Sequence, residues 1–135
     1  MRRLGLDVHI DSIGNIAGLR AGLEAGPAVL MGSHTDTVAT GGRYDGSLGV
    51  LAALEVMECL NAAGIETQKP IGVVSFVNEE GVRFMPDMMG SLFWTEQLDL
   101  EATSRHPSPQ AAIRPPRAQQ ASLPDRQCRS PCPSG

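Results

Sequence analysis

Apolar and polar positions alternate with period two along Leu6-Asp7-Val8-His9-Ile10-Asp11-Ser12. That is the mark of a strand with one buried face. Gly14-Asn15 is a turn signal, and the apolar positions return from Ile16 to Leu19, so the spacing predicts a hairpin. Ala28 to Gly32 is a short apolar run, consistent with a buried strand. A Gly-rich loop follows from Gly41 to Gly46, and at Ser47 the period lengthens to that of a helix. Val50, Leu51, Leu54 and Met57 form one apolar stripe, and Ala52, Val56, Cys59 and Ala63 a second. Only Glu55, Glu58 and Ala62 separate them, so this helix is expected to be largely buried, with Cys59 in the core. Gly64 supplies a C-terminal stop. Ile71 to Val77 reads as a central strand, and a shorter helix is expected from Gly90 to Leu98. Strand, helix, strand at this spacing predicts a parallel pair joined by a crossover helix, hence an α/β fold.

The pattern stops near residue 100. Residues 1–100 carry 6 Lys/Arg against 13 Asp/Glu, whereas residues 101–135 carry 5 Arg against 2 acids and 7 of the 10 prolines. The second segment has neither period and too little apolar surface to offset its ordering entropy. The expected organisation is therefore one folded unit over 1–100 and a disordered Pro/Arg-rich tail over 101–135. The break is as abrupt as a frameshift would make it. A net charge of −4 over 135 residues argues against nucleic acid as a partner. No apolar stretch approaches the ~20 residues of a bilayer span, and no signal-peptide core is present. The cytoplasm is the expected compartment. Cys59, Cys128 and Cys132 do not form a secreted disulfide framework.

Three polar clusters flank these elements: Ser33-His34-Thr35-Asp36, Gly41-Gly42-Arg43-Tyr44-Asp45-Gly46 and Asn78-Glu79-Glu80-Gly81. Ligands of open α/β sheets bind beyond the carboxyl ends of strands, so His34 and the paired glutamates converge if their strands are parallel neighbours. Imidazole plus carboxylate is a common zinc donor set. In His34-x-Asp36 the acid is too close in sequence to chelate the same ion, but it can accept the other ring N–H and fix the tautomer. Of Glu79 and Glu80, one can ligate while the other faces substrate as a base. Taken singly, each cluster has an ordinary reading as flexible loop or solvated charge. Their order along the chain, at strand ends, favours a metal site. His9 fits a surface or packing role. A second zinc site from His106, Cys128 and Cys132 has only weak support in the Cys-x-x-x-Cys spacing.

The text Met31-Gly32-Ser33-His34-Thr35-Asp36-Thr37-Val38, followed by Gly41 to Gly46 and Gly49-Val50-Leu51, resembles the first metal-binding block of the zinc-dependent amidase/hydantoinase/carbamoylase family. Asn78-Glu79-Glu80-Gly81-Val82-Arg83-Phe84 resembles its second block. Met89-Gly90-Ser91 resembles the family's next segment, and Asp11 to Asn15 the hairpin upstream. The related peptidases and deacylases carry Lys-Gly after the bridging Asp, where this chain has Gly46-Ser47. The family includes N-carbamoyl-L-amino acid hydrolases, allantoate amidohydrolases and β-ureidopropionases.

The resemblance implies part of a three-layer αβα zinc-peptidase-like catalytic domain, without the lid and dimerisation domain of longer members. It implies His34 as ligand to one metal, Asp45 as bridge, Glu80 as ligand to the other, Glu79 as general base and Asp36 as the group that orients His34. Two divalent ions are implied, Zn²⁺ first, with Mn²⁺, Co²⁺ or Ni²⁺ as substitutes. The implied reaction is hydrolysis of a C–N bond in a small N-carbamoyl or ureido substrate. The downstream histidine ligands of the family find no match here, so a truncated chain is expected. Longer members are homodimers through the lid. Two alternatives stand beside this reading: an inactive remnant with weak metal or partner binding, and a peptidase or deacylase on the same scaffold.

Overall fold

The computed structural model describes residues 1–98. The tail expected from residue 101, and with it His106, Cys128 and Cys132, lies outside the described residues. After a short 3-10 turn at Arg2–Leu4, β1 (Asp7–Ile10) and β2 (Ile16–Arg20) form the expected hairpin, with Ile10 opposite Ile16. Asp11 closes its turn: Oδ1 accepts from the amides of Ile13, Gly14 and Asn15 at 3.1, 2.9 and 2.8 Å. An Asp at the head of a turn takes up backbone donors that no ladder reaches.

β3 (Val29–His34), α1 (Ser47–Ala62) and β4 (Ile71–Phe76) make the expected parallel crossover. Val29 faces Ile71 at one end of the pair and His34 faces Phe76 at the other. Sequence pattern did not reveal that the hairpin joins the same sheet. β2 runs antiparallel to β4, giving a four-stranded mixed sheet of order β1-β2-β4-β3. Gly64, at φ +62 just past the end of α1, is the expected stop. The Gly64 amide donates to Asn61 and that of Ile65 to Leu60, which satisfies the last carbonyls of the helix.

α1 covers one sheet face. Val50, Ala53 and Met57 pack with Leu6, Ile71 and Val73, and Met57 and Val73 are wholly enclosed. Each such side chain contributes about 1.5–3 kcal/mol of transfer energy. The expectation of a largely buried helix is corrected. Leu51 is 63% exposed, and Ala52, Val56, Cys59 and Ala63 of the second stripe are exposed too. A helix resting on one sheet face buries a single arc of its circumference, and among the described residues nothing covers the opposite arc. Cys59 is accordingly not a core residue.

α2 (Met89–Trp94) is shorter than the expected Gly90–Leu98 helix, because Glu96 turns to φ +60. Its Trp94 ring meets Phe76 edge-on at 6.1 Å. By strand alternation Phe76 lies on the face opposite Val73, so α2 approaches the sheet from the other side and the α/β layering is present.

Candidate metal centre

His34 ends β3 and is 6% exposed. Its Nδ1 is 3.0 Å from the backbone carbonyl oxygen of Asp36. A carbonyl oxygen only accepts, so Nδ1 donates, and in the neutral tautomer this leaves the lone pair on Nε2. The Asp36 carboxylate, to which sequence spacing gives this task, lies 3.7 Å from Nδ1. Its Oδ2 instead accepts the Glu80 amide at 3.2 Å. Asp36 thus meets the ring chiefly through its backbone, and ties the end of β3 to the loop after β4 through its side chain.

Nε2 faces two carboxylates, Asp45 Oδ1 at 3.6 Å and Glu79 Oε2 at 3.4 Å. Ligand atoms of His34, Asp45 and Glu80 all lie within 4.8 Å of one another. The three residues proposed as metal ligands are therefore brought together. Glu79 stands beside the same ring nitrogen. Asp45 reaches this position because α1 begins against His34. Gly46 sits at φ +69, and a Cβ there would overlap the imidazole.

The cluster leaves acidic oxygens without hydrogen bonds. Among the described residues, Asp36 Oδ1 and Glu80 Oε1 are buried with no hydrogen-bond partner. Buried anionic oxygens left unpaired are strongly unfavourable. One nitrogen and clustered carboxylate oxygens suit a divalent ion such as zinc, so the donor set fits a metal.

Glu79 and Glu80 are carried by a hydrogen-bonded loop that residue spacing alone does not disclose. Asn78 adopts φ +49, and its side-chain Nδ2 donates to the carbonyls of Phe84 and Pro86 at 2.8 and 3.2 Å. The Glu79 carbonyl accepts from Met88 and the Asn78 carbonyl from Met89. A separate hollow of about 630 Å³, lined in part by Arg20, Leu23, Leu60 and Ile65, lies at the opposite end of the parallel strands. It shares no residue with the cluster.

Fold and cluster together define a class: α/β domains with a group able to hold a metal ion beyond the carboxyl ends of parallel strands. Residues 30–121 match the model of peptidase family M20/M25/M40, and the chain belongs to that family. It is 46% identical over 103 residues to an N-carbamoyl-L-amino acid amidohydrolase of Geobacillus stearothermophilus, covering 76% of this chain and 25% of that protein. It is 39% identical over 94 residues to an allantoate deiminase of Arabidopsis thaliana, covering 67% and 18%. A hydantoinase/carbamoylase family amidase of Burkholderia ambifaria superposes with a TM-score of 0.71 at 51% identity, covering 75% of this chain and 25% of that structure. The branch expected from the motifs is thus also the branch of its relatives. The chain spans about a quarter of the length of the first of these curated relatives. No helix among the described residues is long and apolar enough to cross a membrane.

Proposed function

We propose that this chain carries metal-binding and acid–base groups of an amidohydrolase that cleaves a C–N bond in N-carbamoyl amino acids or related ureido compounds. The observation that carries the reading is the convergence of ligand atoms of His34, Asp45 and Glu80 within 4.8 Å of one another, on a chain where a buried Glu80 oxygen has no hydrogen-bond partner. These residues would hold the metal, with Asp45 as the bridge where two ions are bound and zinc as the first choice. A divalent ion, when bound, polarises the scissile carbonyl and acidifies water. Glu79, beside the cluster, accepts the proton of the attacking water and returns one to the leaving nitrogen as the C–N bond breaks. Asp36 holds His34 with Nε2 free. The substrate class is supported by the names of the relatives, carbamoyl-amino acid and allantoate hydrolases.

A second reading is a chain that binds metal without turnover. It is favoured by the three converging ligands, fewer than two four-coordinate ions require. The test is an assay of the zinc-loaded chain with N-carbamoyl-L-amino acids and allantoate, beside N-acyl amino acids and dipeptides. Ureido hydrolysis that is lost in Glu79→Gln is expected. Turnover of acyl compounds or dipeptides alone would move the reading to a deacylase or peptidase. Zinc uptake with no turnover would establish the second reading.

A further inference from the structure

Asn15 lies outside the cluster, at the end of the β1–β2 turn, and is 1% exposed. Its side chain faces the root of the loop that carries Glu79 and Glu80. Oδ1 accepts the amide of Val77 at 2.9 Å. Nδ2 donates to Asp11 Oδ2 at 2.8 Å and to the Gly90 carbonyl at 3.0 Å. Both Nδ2 hydrogens are therefore used. The orientation of the amide is determined by its partners. A carboxylate and a carbonyl only accept, so Nδ2 must face Asp11 and Gly90, which leaves Oδ1 for Val77.

Val77 and Gly90 are the two ends of the carboxylate loop. The Gly90 amide also donates to the Val77 carbonyl at 2.9 Å. Asn15 thus bridges both ends from a different part of the chain, and Asp11 holds Asn15. The fit is tight, because a Cβ on Gly90 would overlap Asn15 Oδ1. Two residues beyond Val77, Glu79 stands 3.4 Å from His34 Nε2, and the next amide, that of Glu80, bonds Asp36. Only Asn78 separates the root at Val77 from the two glutamates.

We propose that Asn15, oriented by Asp11, is a positioning residue that clamps the root of the 77–90 loop and so fixes Glu79 and Glu80 relative to His34. The consequence for metal affinity rests on the metal-site reading above; the consequence for the loop does not. The test uses the full chain and two measurements. Co²⁺ titration followed by its visible spectrum reads the cluster. Amide hydrogen exchange of the chelator-treated protein reads the loop.

In Asn15→Ala, Co²⁺ affinity is expected to fall about 10- to 100-fold, as for groups that orient ligands. The Glu80 and Met88 amides are expected to lose about tenfold or more of their protection, while those of Val73 and Met57 keep theirs. Gly90→Ala crowds Asn15 Oδ1 and the Val77 backbone that it holds, so it perturbs the same root and should reproduce both effects. It also serves if Asn15→Ala does not fold. Unchanged loop protection in a folded variant would overturn the proposal. So would an equal loss at every amide, the signature of a merely structural role. If the unaltered chain takes up no Co²⁺, the metal reading fails, and selective loss of loop protection still decides for or against the clamp.

Discussion

Gly46 lies against the imidazole of His34 so closely that no Cβ fits between them. This approach brings the start of α1, and Asp45 with it, over the end of β3. Gly46→Ala meets both the overlap and a φ of +69. The variant is expected to lose about 10- to 100-fold in zinc affinity and about 1–3 kcal/mol in stability. Titration calorimetry and urea unfolding measure the two losses. Unaltered zinc affinity would show that Asp45 does not depend on this contact.

Glu79 and Glu80 are adjacent but have different neighbours, and single amide substitutions separate them. Glu80→Gln removes a charge from the ligand set and should weaken zinc binding about 10- to 100-fold. Glu79→Gln should leave binding nearly unchanged and act on turnover instead. Equal losses of zinc affinity in the two variants would refute this division of roles.

Zinc should stabilise the fold as well as bind it. A ligand that binds only the native state at a hundredfold excess over its Kd adds about 2.7 kcal/mol. The unfolding midpoint should rise with zinc and return when EDTA is added. A midpoint indifferent to zinc would contradict a preformed cluster.

Two positions on α1 contrast burial with exposure. Met57 is wholly enclosed, and Met57→Ala should cost about 2–5 kcal/mol. Leu51, from the stripe that sequence periodicity also assigns to the core, is open to solvent; Leu51→Glu should change stability by no more than about 0.5 kcal/mol. Urea unfolding of the pair tests which arc of the helix the sheet covers.

The hairpin, the crossover and the meeting of His34 with the paired glutamates were all legible from the sequence. The hairpin follows from alternation and a turn signal, and the crossover and the meeting from the right-handed logic of a parallel pair. The antiparallel pairing of β2 with β4 was not legible, because strand alternation does not specify a partner. The exposed arc of α1 was missed for a related reason: periodicity marks apolar positions but not what covers them. The roles of Asp36 and Asn15 were only half visible. The spacing of His34-x-Asp36 suggested a contact, yet it is the Asp36 carbonyl that comes to 3.0 Å of the ring. Asn15 reads as a turn residue, and its bond to Val77 spans 62 positions of sequence.

The parallel pairing of β3 with β4 also sets an order of events during folding. The β1–β2 hairpin is local and closes on the microsecond scale. β3 and β4 can pair only after the chain from Thr35 to Pro70 has looped back, and such distant pairing is slow. His34 stands at the end of one of these strands, and Glu79 and Glu80 follow the other. Before that step, the imidazole and the glutamates travel on separate segments. On the metal-site reading, cation uptake is therefore expected to follow closure of the sheet rather than to guide it, a clock for the final stage of folding.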